Sequence, residues 1–168
     1  MNDDGFSGIE PIQIETRAQF RDEVATALAT AQGEILLADH DFAGWPLNSP
    51  AVEEALRRFF LASRVNRMRL LTTPAHQLHR ESPRLMSLLR DFGHVFSCRY
   101  PPDTMIARFS QDTCLLVIDR VRVVRRFNRH QPRGSAEFSP DEGQAWADHF
   151  ESIWNESTAS LSVTTLGL

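Results

Sequence analysis

The chain has 168 residues, of which 42% are hydrophobic and 24% are charged, a composition typical of a globular protein rather than a disordered or fibrous one. Its 18 basic residues are all arginine, its 22 acidic residues bring the net charge to −4, and the length favours a single domain. No apolar run approaches the roughly 18 residues that a membrane-spanning helix requires, so we expect no such helix.

The N-terminus and the cysteines both bear on the compartment. Residues Met1–Gly5 are acidic and no hydrophobic stretch follows them, which is typical of neither a secretory signal nor a transit peptide. The two cysteines, Cys98 and Cys114, form no CxxC or zinc-like pattern, and both lie in apolar or strand-like surroundings. We therefore expect two buried thiols, no disulfide framework, no structural zinc and a cytoplasmic location.

Strands and helices alternate along the chain as far as Tyr100. The predicted strands are short and mostly apolar: Pro11–Glu15, Ile35–Ala38, Arg67–Thr72 and His94–Tyr100. The intervening helices begin after Thr16, which has capping-box spacing to Gln19, and after Ser49 and Ser82, each followed by proline. Such alternation predicts a mostly parallel sheet with right-handed crossovers.

After Pro102 the apolar pattern changes to a period of two, which predicts strands added antiparallel to the sheet. These strands are Met105–Phe109, Thr113–Asp119, Val121–Phe127 and the short Ser135–Phe138, with a tight turn at Asp119–Arg120. A second capping box at Ser139–Glu142 begins the last helix. We expect one mixed α/β domain over residues 11–156, with helices on both faces of the sheet and loose tails at 1–10 and 157–168.

Four segments follow one another in an order that occurs in a known superfamily. They are the helix Ala27–Gln32 before an apolar strand, the helix–strand pair ending in Ser63–Leu71, the segment Phe92–Val95, and the hairpin strand Leu115–Asp119 with an acid at its tip. Over about residues 12–156 this arrangement resembles the phospholipase D-like superfamily. The resemblance implies that superfamily's α/β fold.

The catalytic signature of that superfamily is degenerate here. It consists of His, any residue, Lys, four residues and Asp, followed downstream by Gly-Ser and Asn. Asp119 is in register, but Asp112 stands at the nucleophilic His, Cys114 at the Lys and Arg126–Phe127 at the Gly-Ser, with Asn128 nearby. A carboxylate is a poor substitute for a phosphate-attacking imidazole, and loss of the lysine removes a cation for phosphate. We therefore expect no catalysis at these positions.

A narrower resemblance supports the same conclusion. The segment Phe150–Ser157, preceded by Val117–Asp119 and by Arg125 or Arg126, is similar to a bacterial family of degenerate single-domain phospholipase D-like proteins. Some members lie beside or are fused to acetyltransferases, which implies that this chain could regulate a separate acetyltransferase. Single-domain relatives pair their sites across a two-fold axis, which implies a homodimer.

Charge is segregated along the chain: residues 57–133 carry a net +11, whereas residues 1–56 carry −9 and residues 134–168 carry −6. Six arginines lie within residues 120–133, and on a strand Arg122 and Arg126 share one face while Arg125 lies on the other. Two interpretations stay open. One is a solvated face that the acidic segments balance. The other is an anion site for a phosphate-bearing ligand or an acidic protein, formed by Arg122, Arg125, Arg126, Arg129 and Arg133. Nucleic acid is a weaker candidate, because the pI is 5.8 and aromatic residues are scarce.

A second candidate site follows two neighbouring predicted strands. Asp39, His40 and Asp41 follow one strand, and His76 and His79 follow the next. Ligands often bind at the carboxyl ends of parallel strands, so a hydrolase built from these residues is an alternative. Structural roles remain the simpler interpretation, and we expect no metal and no cofactor. The sequence thus favours a non-catalytic phospholipase D-like domain that acts as a binding or interaction module.

Overall fold

The computed structural model describes residues 9–73 and 77–159. Within those residues the strands are β1 (Ile12–Ile14), β2 (Glu34–Asp39), β3 (Arg67–Leu71), β4 (Phe96–Tyr100), β5 (Cys114–Ile118), β6 (Arg122–Arg126), β7 (Gly134–Phe138) and β8 (Thr158–Ala159). The helices are α1 (Arg17–Thr30), α2 (Pro50–Ala62), α3 (Gln77–Glu81), α4 (Pro83–Asp91), α5 (Asp103–Asp112) and α6 (Pro140–Glu156).

All eight strands form one mixed sheet in the order β1-β7-β6-β5-β2-β3-β4-β8. Parallel pairing joins β2, β3 and β4, and every other pairing is antiparallel. The mixed α/β sheet with a C-terminal antiparallel hairpin is confirmed. The antiparallel part is larger than the hairpin, because β1 pairs with β7 at one edge although it precedes α1 in the chain.

Side chains that alternate along the central strands form a core on each face of the sheet. On β2, Ile35 and Leu37 belong to the core under α1, α2 and α4, whereas Leu36 and Ala38 belong to the core under α6. Since both faces of the central strands are covered, these strands read as continuous apolar runs.

The predicted helix starts are present. The Thr16 hydroxyl accepts a hydrogen bond from the backbone of Gln19, whose side chain accepts one from the backbone of Thr16. At α6 the Ser139 hydroxyl accepts from the backbone of Glu142. These local contacts explain why both helix starts could be recognised in the sequence.

Three expectations need correction. The predicted strand Met105–Phe109 is wrong, because these residues lie within α5; Met105 and Phe109 are one helical turn apart and both pack on the core under α6. The predicted loop before Ser82 contains the short helix α3. The domain extends beyond residue 156, since Ser157 is buried and β8 pairs with β4. Residues 160–168 and 1–8 of the predicted tails lie outside the described residues.

The side chain of Asp119, at the tip of the hairpin between β5 and β6, holds the hairpin in place. Asp119 and Arg120 have φ angles of 52° and 57°, which gives the tight turn that suits the twist of two antiparallel strands. The Asp119 carboxylate accepts hydrogen bonds from the backbone N–H groups of Gln32, Gly33 and Glu34, at 2.7–2.9 Å. It therefore ties the hairpin to the connection between α1 and β2.

Candidate anion-binding site

Arg126, the last residue of β6, is a cation held inside the molecule. It is 8% exposed, and its Nη2 donates to Asp39 Oδ2 at 3.1 Å and to the Ala43 carbonyl at 3.3 Å. Its Nε donates to Cys114 Sγ at 3.0 Å, and its guanidinium lies 4.8 Å from the centre of the Phe20 ring. These contacts fix the guanidinium in one orientation.

Asp39, at the end of β2, is the counter-ion of Arg126 and is 1% exposed. Its Oδ2 also accepts from the Trp45 indole nitrogen and from the Cys114 thiol, while Oδ1 receives no hydrogen bond from any described residue. Burial raises the pKa of Cys114 to about 12, and the Asp39 carboxylate adds to the rise. The thiol is consequently neutral at physiological pH.

The positions of the degenerate signature do not form one site. Cys114 begins β5 and Asp119 follows its other end, where the carboxylate is used to hold the backbone of the α1–β2 connection. Asn128 stabilises its own turn, because its Oδ1 accepts from the backbone of His130 at 2.8 Å. Asp112 is the last residue of α5, and its side chain lies outside the described residues.

The five arginines predicted to hold an anion are divided among separate places. Arg125 lies on the α6 face, with its guanidinium 3.8 Å from the centre of the Trp146 ring, and burial lowers its pKa. Arg122 is half-buried in a hollow that also contains Glu137, and Arg133 is exposed. Only two of the five, Arg126 and Arg129, line the same cleft.

That cleft, which we call the basic cleft, has a volume of about 240 Å³ and is formed by three parts of the chain around Arg126. Two further cations, Arg17 and Arg21, come from the first turns of α1, and His130 comes from the loop before β7. The residues that line it within the described ranges include no carboxylate. Four arginines and one histidine therefore face a small space in which nothing in the lining balances the charge of the three rim arginines.

Sequence reasoning missed Arg17 and Arg21 because they lie in the acidic third of the chain. Their spacing of four residues places them on one side of α1, and this spacing is the feature of the sequence by which they could have been found. Their approach to the loop around Arg129 depends on tertiary packing. Arg21 is held there by a hydrogen bond from its Nε to the Gly44 carbonyl at 3.3 Å.

Gly44 lines the basic cleft next to Arg126. Its φ of +80° is a conformation that L-residues with side chains rarely adopt. A Cβ at this position would lie 3.7 Å from Nη1 of Arg126, and no described residue accepts a hydrogen bond from that nitrogen. One edge of the Arg126 guanidinium therefore faces the cleft.

The residues of the alternative hydrolase site have other contacts. The Asp39 carboxylate forms an ion pair with Arg126, and the Asp41 carboxylate accepts a hydrogen bond from the backbone N–H of Ala43 at 2.9 Å. The His40 carbonyl accepts from Thr72 and Thr73, and His79 lies on α3. His76 lies outside the described residues. In the part of the chain that is described, no group of three His, Cys, Asp or Glu side chains could hold a metal ion.

A larger groove lies on the opposite face of the sheet, between α5 and α6. Its volume is about 630 Å³, and it is lined largely by apolar side chains such as Met105, Phe109, Trp146 and Ile153. It lacks the convergence of cations that distinguishes the basic cleft. The helices of the described residues include none that is long and apolar enough to cross a membrane.

Comparison with known proteins places this geometry in a structural context. No curated protein matches the sequence. The archaeal chromatin protein TrmBL2, whose structure shows a novel mode of DNA binding, superposes with a TM-score of 0.65 at 15% identity, over 89% of this chain and 53% of its own. The present chain thus spans about half the length of that protein.

Two bacterial proteins match over almost their whole length. Nuc from Salmonella typhimurium, a phospholipase D family member, has a TM-score of 0.60 at 16% identity, over 91% of this chain and 100% of its own. NucT from Helicobacter pylori has a TM-score of 0.58 at 8% identity, over 89% of this chain and 98% of its own. The phospholipase D-like fold implied by the sequence is confirmed. The profile of one family, described as "Domain of unknown function (DUF7931)", matches residues 16–166, so this chain, with its phospholipase D-like fold, belongs to the DUF7931 family.

Proposed function

We propose that the protein is a non-catalytic phospholipase D-like domain that binds a phosphate-bearing ligand in the basic cleft. The observation that carries the proposal is the fixed guanidinium of Arg126, which presents Nη1 to a space lined by three further arginines and no carboxylate. Arginine is suited to this role because its planar fork donates two parallel hydrogen bonds to phosphate oxygens.

The state of the signature positions supports a role without catalysis. The thiol at the lysine position has a pKa of about 12, so it supplies neither a cation nor a nucleophile near neutral pH. Asp119 is used to hold backbone N–H groups, and Asp39 is held by Arg126. A general base or nucleophile must instead be free to reach the substrate.

The surroundings of the basic cleft support an anionic ligand. Arg17 and Arg21 lie in the first turns of α1, where the helix dipole adds partial positive charge and where no acidic residue lies in the first turn. TrmBL2, which shares the fold, binds DNA, and Nuc belongs to the phospholipase D family. Phosphate is the group that such ligands share, and it is the group that the cations of this cleft would bind.

The test is calorimetric titration of the protein with inorganic phosphate. The variant Arg17→Gln/Arg129→Gln removes two partly or fully exposed cations of the cleft, and we expect it to weaken binding at least about tenfold. The matched control Arg58→Gln/Arg64→Gln removes two exposed arginines elsewhere and should retain the affinity of the wild type within about twofold. Absence of phosphate binding by the wild type, or equal loss in both variants, would refute the site.

The non-catalytic half of the proposal has its own test. The wild-type protein should not hydrolyse bis(p-nitrophenyl) phosphate above the rate of buffer, with and without added divalent cations. Turnover that copurifies with the protein and disappears in Cys114→Ala or Asp119→Asn would show that the signature positions retain catalysis.

Several expectations stay predictions. They are the bacterial origin, the cytoplasmic location, the homodimer, an acidic protein partner and the partnership with an acetyltransferase. Light scattering at micromolar concentration tests the homodimer directly, since a strictly monomeric species would rule it out.

A further inference from the structure

We infer that the basic cleft is selective for a terminal phosphate, the dianion of a phosphomonoester, over a phosphodiester inside a chain. This inference rests on the proposed function and adds the class of phosphate that the site takes. Three features of the cleft lead to it: its surplus of charge, its size and walls, and the arrangement of its donors.

The charge of the basic cleft exceeds what a diester would balance. The positive charge of Arg126 is offset by Asp39, which contacts it at 3.1 Å. Arg17, Arg21 and Arg129 have no carboxylate within 4.0 Å among the described residues and leave about three positive charges at the rim. A phosphodiester carries one negative charge, whereas a monoester carries about 1.5–2 at pH 7. The monoester is the better match.

The size of the basic cleft suits one end group. Its 240 Å³ corresponds to about eight water molecules at roughly 30 Å³ each, below the roughly 300–1,000 Å³ of pockets that enclose whole small molecules. A space of this size holds a phosphate and a few neighbouring atoms, so most of a larger ligand must lie outside.

The lining leaves less room for two substituents than for one. Residues of α1, residues 43–44, residues 129–132 and Arg126 line the space. An internal phosphodiester carries a substituent on each of two oxygens, and both substituents would have to leave this space. A terminal phosphate has one substituent, which can leave through the mouth.

The donors are placed for three free oxygens. Arg126 lines the cleft, and its Nη1 makes no hydrogen bond to the described residues. Arg21 is held by its Nε, and its Nη1 and Nη2 make no hydrogen bond to those residues either. Arg129 and His130 also line the cleft. A monoester presents three terminal oxygens to such donors and a diester presents only two, so the third set of donors is used only by the monoester.

A matched pair of small probes tests the inference: methyl phosphate and dimethyl phosphate, titrated into the wild-type protein at pH 7.5 and pH 5.0. Methyl phosphate should bind about tenfold or more tightly than dimethyl phosphate at pH 7.5, because it offers an extra charge and an extra acceptor. This advantage should shrink at pH 5.0, since methyl phosphate then becomes a monoanion below its second pKa of about 6.

Sulfate controls for changes in the protonation of the protein between the two pH values, because sulfate itself stays a dianion at both. The groups that face the cleft are Arg17 and Arg21 of α1, Arg126 of β6, and Arg129 and His130 of the loop, with Asp41 close to the Ala43 wall. Sulfate binding that does not weaken at pH 5.0 would show that the change expected for methyl phosphate comes from the ligand.

The outcomes separate the inference from the proposed function. Equal binding of the two probes, each lost in Arg17→Gln/Arg129→Gln, would overturn the preference for a terminal phosphate and leave the phosphate site intact. Loss of affinity at pH 5.0 by sulfate as well as methyl phosphate would likewise overturn it, because the protein and not the ligand would then be titrating. Failure of every probe to bind the wild type would refute the proposed function itself.

Discussion

Asp39 and Arg126 are both almost completely buried and depend on each other for charge compensation. Removing one partner of such a pair leaves an uncompensated charge, so Arg126→Met should lower the free energy of unfolding by about 3–5 kcal/mol. In the double variant Asp39→Asn/Arg126→Met that charge is gone, and we expect part of the stability to return. Urea denaturation of the single and double variants measures the coupling. Strict additivity of the two losses would mean that the pair is not coupled.

Cys114 occupies the lysine position of the phospholipase D-like signature and is buried. With a pKa of about 12, it is ionised to about one part in ten thousand at pH 8, and it is 4% exposed. Cys98 is also buried, so neither thiol should react with a disulfide reagent in the native protein, and both should react after unfolding in guanidinium. Rapid modification of one thiol in the native state, absent in Cys114→Ser, would contradict this account.

Part of the arrangement of the arginines on β6 could be predicted from the sequence, and part could not. The alternation of side chains along β6 separates Arg122 and Arg126 from Arg125, and this follows from the sequence because a strand has a period of two. Burial of Arg126 could not be inferred in the same way. It depends on Asp39, at the end of β2, which pairs with Arg126 only in the folded sheet. Trp45, in the loop after β2, donates to the same carboxylate oxygen.

At the scale of elements, α6 is docked on the hairpin between β5 and β6 through a glycine. A Cβ at Gly143 would stand 2.1 Å from the carbonyl oxygen of Arg120, so Gly143→Ala must displace the first turn of α6 or the hairpin tip. We expect a loss of about 1–3 kcal/mol, although alanine favours a helix more than glycine does.

Gln144, the exposed neighbour of Gly143 on α6, provides the control for the Gly143→Ala substitution. Gln144→Ala should change the stability by no more than about 0.5 kcal/mol, since it removes one exposed hydrogen bond to Asp148. Thermal or urea denaturation of both variants suffices. A Gly143→Ala protein as stable as the wild type would show that the approach of α6 to the hairpin is looser than described.

Elements with strong local determinants are the ones that the sequence predicts well. Helix α1 has a capping box, α6 has a serine N-cap, and the central strands are continuous apolar runs between turns. Helix α5 is misread because the segment 105–109 also satisfies a period of two, and the choice between the two patterns depends on its packing over the core under α6. The pairing of β1 with β7 is long-range and has no local signature.

Across the whole molecule, folding brings the acidic and basic segments of the chain together. Glu34 from the acidic first third and Glu151 from the acidic end pair with Arg69 and Arg120 from the basic middle. Contacts of this kind balance part of the segregated charge. Within residues 120–133, Arg120 and Arg126 have a carboxylate partner among the described residues, and the other four arginines have none. The three rim arginines of the basic cleft have no such partner among the described residues.

This network makes stability depend on pH in a defined direction. Hydrogen bonds from Arg69 lower the pKa of Glu151 below its ordinary value of 4.5. The stabilisation is therefore present in full above pH 4.5 and is lost as the pH falls through the lowered pKa. Glu151→Gln should cost about 1–2 kcal/mol at pH 7 and less below pH 4, measured by urea denaturation at each pH. A cost that is independent of pH would contradict the ionic origin of this contribution.

The central claim, a phosphate site in the basic cleft, is tested most directly by mapping amide chemical shifts while inorganic phosphate is titrated into the labelled protein. We predict that the saturable shifts concentrate at the start of α1, at residues 43–44 and at residues 129–132, and that Arg17→Gln/Arg129→Gln raises the phosphate concentration needed to saturate them at least about tenfold. Saturable shifts that lie elsewhere, such as on the groove between α5 and α6, or no saturable shifts at all, would contradict the account.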